Sequence, residues 1–225
     1  MASVPGTSLD AWMQGVLAIP GMAAMGHAQD AQRGDPGLGW LYYSLARLVK
    51  PSIAVVIGSW RGFVPAMLGR SLADDGDGQV VFIDPSLVDD FWRDPAAVQA
   101  HFASLGLSNV THWCMTTQQF VASPAYQQLT ETALVFIDGY HSLEQARYDY
   151  LAFRHLVPAH GMVLFHDSIR VRPSRIYGEH KVYEHRVRDL MEELRADASL
   201  QVLDLPYGDG LTMVRARALP ETLRP

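Results

Sequence analysis

Cysteine is the scarcest reactive residue in this 225-residue chain: Cys114 stands alone. One thiol excludes an internal disulfide and any zinc cluster built on thiolates, and it is compatible with a reducing compartment. Its strand-like apolar surroundings read as those of a small core residue rather than a nucleophile. Positive charge is also short, with 18 Lys and Arg against 24 Asp and Glu and a formal net of −6. Without a cationic excess to neutralise phosphates, general nucleic-acid binding is not expected. No apolar run is long enough to cross a bilayer, so no membrane partner is expected either. Met1–Asp10 lacks a basic region, and Gly15, Pro20 and Gly21 interrupt the apolar stretch that follows. No targeting peptide is read there, and the expected location is cytoplasmic. Repeats and low-complexity tracts are missing too.

What remains is ordinary globular composition, 48% hydrophobic and 19% charged. That is enough apolar surface to order one large α/β domain. The spacing predicts a short amphipathic helix over 9–19, a Gly-, Ala- and Met-rich loop over 20–38, and a helix over Gly39–Val49 stopped by Pro51. Short apolar runs then recur at Ile53–Ile57, Gln79–Ile83, Val110–Met115, Ala133–Ile137 and Met162–Phe165, separated by helical segments. Buried strands alternating with helices predict a Rossmann-like, doubly wound α/β fold with a mostly parallel sheet. The tail departs from this rhythm. Val182–Ala196 reads as one long charged helix, and Leu200–Leu205 with Leu211–Ala216 as an antiparallel hairpin. The expected organisation is an N-terminal segment over 1–38, forming an apolar lid or a homo-oligomer contact, and a main domain over 39–225.

Ligands of such sheets bind beyond the carboxyl ends of the strands. Those ends carry Gly58-Ser59-Trp60-Arg61-Gly62, Asp84, Thr116-Thr117, Asp138-Gly139-Tyr140-His141 and His166-Asp167-Ser168. The glycine turn permits close backbone approach but is not the G-x-G-x-x-G dinucleotide fingerprint. An acid ending strand two can accept both hydroxyls of a ribose, which points Asp84 at an adenosine-type ligand. Asp138 and Asp167 on nearby strands suit a hard divalent cation, or cap the following turns. His141 and His166 beside them are candidate general bases. His155, His160, His180 and His185 read as surface or helix-end polarity. The basic stretch Arg170, Arg172, Arg175 and Lys181 reads as a solvated loop in preference to an anion site.

The segments VVIGSWRG (55–62), VFIDP (81–85), VFIDGYHS (135–142) and HGMVLFHD (160–167) resemble the class I S-adenosylmethionine-dependent methyltransferases. The likeness is to the methyltransferase-24 type, related to metal-dependent O-methyltransferases, and it covers about Leu41 to Ala216. It implies a seven-stranded sheet with a C-terminal antiparallel hairpin. Gly58, Ser59, Trp60 and Gly62 would lie at the methionine part of the cofactor, Asp84 at the ribose, and Thr116 and Thr117 at the adenine; Asp138 would also lie at the cofactor. The resemblance places magnesium or another divalent cation at Asp138 and Asp167, with His166 a candidate third ligand. Two departures are visible: Val56 stands where the family has an acid, and Ser168 where the catechol-type enzymes have asparagine. The third metal ligand is left open among His141, Glu144, His166 and water. The expected reaction is O-methylation of a small hydroxylated molecule of specialised metabolism, with Asp138, His141 and His166 as catalytic residues. Two rivals are a non-catalytic adenosyl-binding module of the same fold and a nucleotide-dependent oxidoreductase.

Overall fold

Alternation along the central strands decides which side chains face which layer. In a strand, successive side chains point to opposite faces. Ala54, Val56, Leu134, Phe136, Met162 and Leu164 join one buried cluster, while Val55, Ile57, Val135, Ile137, Val163 and Phe165 join a second on the other face. Burial on both faces is why these strands read as continuous apolar runs. The computed structural model describes residues 7–217.

In chain order the elements are α1 (Leu9–Leu17), α2 (Gly39–Val49), β1 (Ile53–Ile57), α3 (Phe63–Asp75), β2 (Gln79–Ile83), α4 (Pro95–Ser104), β3 (Val110–Trp113), α5 (Thr117–Val121), α6 (Pro124–Gln127), β4 (Leu134–Ile137), α7 (Leu143–Phe153), β5 (Met162–His166), β6 (Arg172–Ser174), β7 (Tyr183–His185), α8 (Val187–Arg195), β8 (Leu200–Leu205) and β9 (Leu211–Ala216). Seven strands form one sheet in the order β3-β2-β1-β4-β5-β9-β8. The first five are parallel, and β9 and β8 are antiparallel, as the hairpin predicts. The first cluster draws on α1 to α4 and the second on α5 to α8.

Two expectations are corrected. Val182–Ala196 is not one helix: Tyr183–His185 is a strand paired with Arg172–Ser174, and only Val187–Arg195 is helical. The loop after β5 is therefore a small hairpin folded back on the strand ends. Cys114 is exposed rather than a core residue, because β3 ends one residue earlier. Within the N-terminal segment Met13, Val16 and Met22 are fully buried, and Trp12 Nε1 donates to Leu105 O at 2.8 Å. Among the described residues no helix is long and apolar enough to cross a membrane.

Candidate active site

Register builds the centre of the site. Phe136 pairs with Leu164 and Ile137 with Phe165, so the next residues, Asp138 and His166, emerge side by side on the face of Phe136 and Leu164. His166 Nδ1 lies 2.8 Å from Asp138 Oδ1, and its Nε2 lies 3.2 Å from the Gly26 carbonyl. A carbonyl only accepts, so Nε2 carries a proton, and the carboxylate draws a second onto Nδ1. Burial alone would lower the His166 pKa, but Asp138 above all, with Asp167, pushes it up to about 9. Desolvation opposes the Asp138 charge, but His166, His27 and His141 hold its pKa below the ordinary value.

Two further histidines complete this end of the sheet, and neither stands out in the sequence as a site residue. His27, in the N-terminal loop, is fully buried between Phe63, stacked at 5.3 Å, and His166 at 4.3 Å. Its Nδ1 meets Tyr42 Oη at 3.1 Å, and its Nε2 faces Asp138 Oδ2 at 3.8 Å without a hydrogen-bond partner. Burial, helped by His166, lowers its pKa to about 3. His185, expected at the surface, is instead 4% exposed and stacks on His141 at 4.3 Å. Its Nε2 meets Tyr183 Oη at 3.1 Å, and its Nδ1 lies 3.0 Å from Asp167 Oδ2 without good hydrogen-bond alignment. His155, His160 and His180 are exposed, as expected.

His141 sits between the two carboxylates, its Nε2 3.5 Å from Asp138 Oδ1 and 3.9 Å from Asp167 Oδ2. Burial lowers its pKa to about 4 against the pull of both aspartates, so it is neutral at pH 7. Asp167 has a φ of +52° and accepts from Arg172 Nη2 at 2.7 Å. Burial opposes its charge, but His185, His166, His141 and Arg172 together hold it far below the usual carboxylate range. Arg172 thus belongs to the site and also reaches Asp209 at 2.7 Å, whereas Arg170, Arg175 and Lys181 stay exposed.

A cleft of about 490 Å³ opens along the strand ends, lined by Gly58, Ser59, Trp60, Asp84, Thr116, Thr117, Asp138, His141, His166 and Asp167. Gly58 has a φ of +73°, and a Cβ there would fall 2.2 Å from the Asp138 carbonyl, so only glycine fits between β1 and β4. Ser59 and Trp60 also hold positive φ, at 149° and 25°. Such strain persists where surroundings enforce it, often beside a ligand site. Gly62, expected at the cofactor, instead backs onto Trp92 and Phe102 and does not line the cleft. Asp84 Oδ1 accepts from Ser86 N at 2.7 Å. Burial pushes its pKa up to about 6, opposed by the Ser86 and Ser59 amides and assisted by Asp138 and Asp89. Thr116 lines the cleft while its hydroxyl caps α5 through Gln119 N at 3.2 Å. Asp149 is a cleft residue that α7 contributes; burial raises its pKa to about 6.

The two departures from the resembled family pattern are both packed away. Val56 is fully buried in the sheet, and the buried Ser168 hydroxyl pairs with Thr212 Oγ1 at 2.7 Å. Glu144 is exposed in the first turn of α7, away from the carboxylates.

Residues 55–168, just over half of the chain, match the family described as a methyltransferase domain. The chain belongs to the methyltransferase family. Its fold agrees with that of the class I, S-adenosylmethionine-dependent methyltransferases. A solved O-methyltransferase from Bacillus cereus, in complex with SAH, is similar with a TM-score of 0.66 at 15% identity, covering 96% of this chain and 94% of its own. A solved protein from Corynebacterium glutamicum gives 0.64 at 20% identity, over 95% and 97% of the two chains. The O-methyltransferase TomG from Streptomyces achromogenes, involved in tomaymycin synthesis and solved with SAM, gives 0.60 at 16% identity, over 97% and 100%. No curated protein sequence matches the chain. Of the three buried histidines, His27 and His185 come from outside the matched span and His166 from within it.

Proposed function

We propose that this methyltransferase uses S-adenosylmethionine to methylate a hydroxyl oxygen of a small molecule, with His141 as general base. One observation carries the reading: a single cleft runs from the Asp84 carboxylate past Gly58 to the uncharged imidazole of His141. The complexes of the Bacillus cereus and Streptomyces achromogenes enzymes with SAH and SAM support the choice of cofactor.

When bound, S-adenosylmethionine supplies an electrophilic methyl group on a sulfonium, open to in-line displacement by an oxygen. The chain's residues fit that cofactor. Asp84 keeps a carboxylate oxygen for the ribose hydroxyls, the backbone at Gly58 permits close approach, and Trp60 offers a buried Nε1 with no partner. Ser59, Thr116, Thr117 and Asp138 complete the wall. His141 takes the acceptor's hydroxyl proton at Nε2 as oxygen attacks. The imidazolium then lies between Asp138 and Asp167, whose charges favour it. His166 already holds protons toward Asp138 and Gly26, so it acts by fixing Asp138 rather than as a base. The walls of the cleft align acceptor and methyl group and exclude water, which is where most of the rate gain of such a transfer arises.

Magnesium does not fit the donors that the family likeness points to. It takes oxygen ligands in near-octahedral geometry, whereas an Asp167 oxygen is occupied by Arg172 and imidazoles crowd Asp138. No step of this mechanism runs through it.

The test is calorimetric titration of the purified protein with S-adenosylmethionine, S-adenosylhomocysteine and NAD. Micromolar binding of the two adenosyl ligands and none of NAD is expected. NAD binding without adenosyl binding would instead favour the oxidoreductase reading.

A further inference from the structure

We propose that His27, Asp138 and His166 bind a zinc-class transition-metal ion that pins the N-terminal segment to the carboxyl ends of β4 and β5. The ligand atoms of these three residues lie within 4.8 Å of one another. His27 is the decisive member. It is fully buried, and its Nε2 has no hydrogen-bond partner although it faces Asp138 Oδ2 at 3.8 Å. Two ligands on one tetrahedral ion, at bonds of about 2.0–2.2 Å, stand roughly 3.3–3.6 Å apart, close to that gap.

The outer contacts have the form that metal-bound imidazoles require. A ligating histidine usually has its other ring nitrogen held by a carbonyl, carboxylate or water, which fixes the ring and leaves one lone pair for the ion. His27 Nδ1 is held by Tyr42 Oη at 3.1 Å, and His166 Nε2 by the Gly26 carbonyl at 3.2 Å. Each ring therefore turns its remaining nitrogen toward Asp138, and an arriving ion would displace to solvent the proton that His166 Nδ1 shares with Asp138 Oδ1. Two imidazoles and one carboxylate suit zinc, cobalt, nickel or iron, whereas magnesium and calcium take oxygen.

A second triad, His141, Asp167 and His185, lies alongside. It is the weaker candidate, because Arg172 already neutralises an Asp167 oxygen at 2.7 Å. The choice of the inner triad leaves His141 free in the cleft. It also gives the ion a structural consequence: His27 and the cleft-lining Gly26 sit far from β4 and β5 in sequence, and the ion would tie all three together.

The test uses the full chain, stripped with chelator and titrated with Zn(II) and, in parallel, with Co(II) followed by visible absorption. One ion per chain is expected, with cobalt bands typical of a four- or five-coordinate nitrogen–oxygen site, undisturbed by millimolar magnesium. His27→Ala and the milder His27→Gln should each weaken binding by more than the ~10–100-fold typical of losing an outer partner, and Tyr42→Phe by an amount within that range. His185→Ala, and a variant with the exposed His155, His160 and His180 all changed to Ala, should bind as tightly as the parent. Circular dichroism of each stripped variant confirms that it is folded. No tight binding by the folded parent would overturn the proposal. So would displacement by magnesium, or loss of binding in His185→Ala with none in His27→Gln.

Discussion

Replacing Asp84 with asparagine keeps the shape of the side chain and removes its charge. Asp84 is half-buried, and one of its oxygens already accepts from the Ser86 amide at 2.7 Å. Asp84 lines the cleft, and the accepting capacity left beside the Ser86 and Ser59 amides would meet the hydroxyl donors of the proposed ribose. Hydrogen bonds to a charged group contribute about 1.5–3 kcal/mol each, and the amide retains one acceptor oxygen, so a net loss of about 2–3 kcal/mol is expected. At about 1.4 kcal/mol per tenfold, that is roughly 30- to 150-fold weaker binding of S-adenosylhomocysteine. The pH dependence gives a second, independent reading. Burial raises the Asp84 pKa to about 6. The ligand prefers the ionised form, so affinity is full above pH 6 and falls as the pH drops through it. Below pH 6 binding must release one proton, so it weakens about tenfold for each pH unit well below 6. Calorimetry at pH 5, 6, 7 and 8 measures both effects, with circular dichroism as the control for folding. Asp84→Asn should lose the step near pH 6 as well as the affinity. A variant that binds within threefold of the parent, or keeps the same pH step, would refute the assignment of Asp84 to the ribose.

Other outcomes follow from the same geometry. Gly58→Ala forces a Cβ to 2.2 Å from the Asp138 carbonyl at a φ of +73°; it should destabilise the fold by at least the ~1–3 kcal/mol of ordinary overpacking, seen as a lowered denaturation midpoint. Phe136→Ala removes a fully buried ring packed 5.0 Å from Tyr42 and should cost about 3–5 kcal/mol in chemical unfolding. Ser168→Ala loses the hydroxyl pair with Thr212; about 1 kcal/mol of stability should go while cofactor affinity stays unchanged, since Ser168 does not line the cleft.

Much of the frame was legible in the sequence because the central strands are buried on both faces. A continuous run such as Ile53–Ile57 has no polar alternation to blur its ends, and its bounds match the observed strand. The same holds for Gln79–Ile83 and for the C-terminal hairpin, which short turns delimit. Asp84, Asp138, His141, His166 and Asp167 were legible because strand ends in a parallel sheet converge. Residues brought in by long-range packing were not. His27 lies in an aperiodic loop and becomes a site residue only because the first core cluster draws that loop under the Phe136 face. His185 sits among charges that read as a helix, since a three-residue strand such as Tyr183–His185 is too short to show a period of two. Gly62 was placed at the cofactor by its motif, yet the left-handed turn directs it toward Trp92.

The most direct measurement is transfer of a labelled methyl group from S-adenosylmethionine to a panel of catechols, phenols and sugar hydroxyls, comparing the parent protein with His141→Gln. The account predicts label in an oxygen-linked product with the parent. It predicts a loss of at least the ~10²–10⁴-fold that a general base contributes in the variant, with cofactor affinity retained. Methyl transfer that persists undiminished in His141→Gln, or label found on nitrogen rather than oxygen, would contradict it.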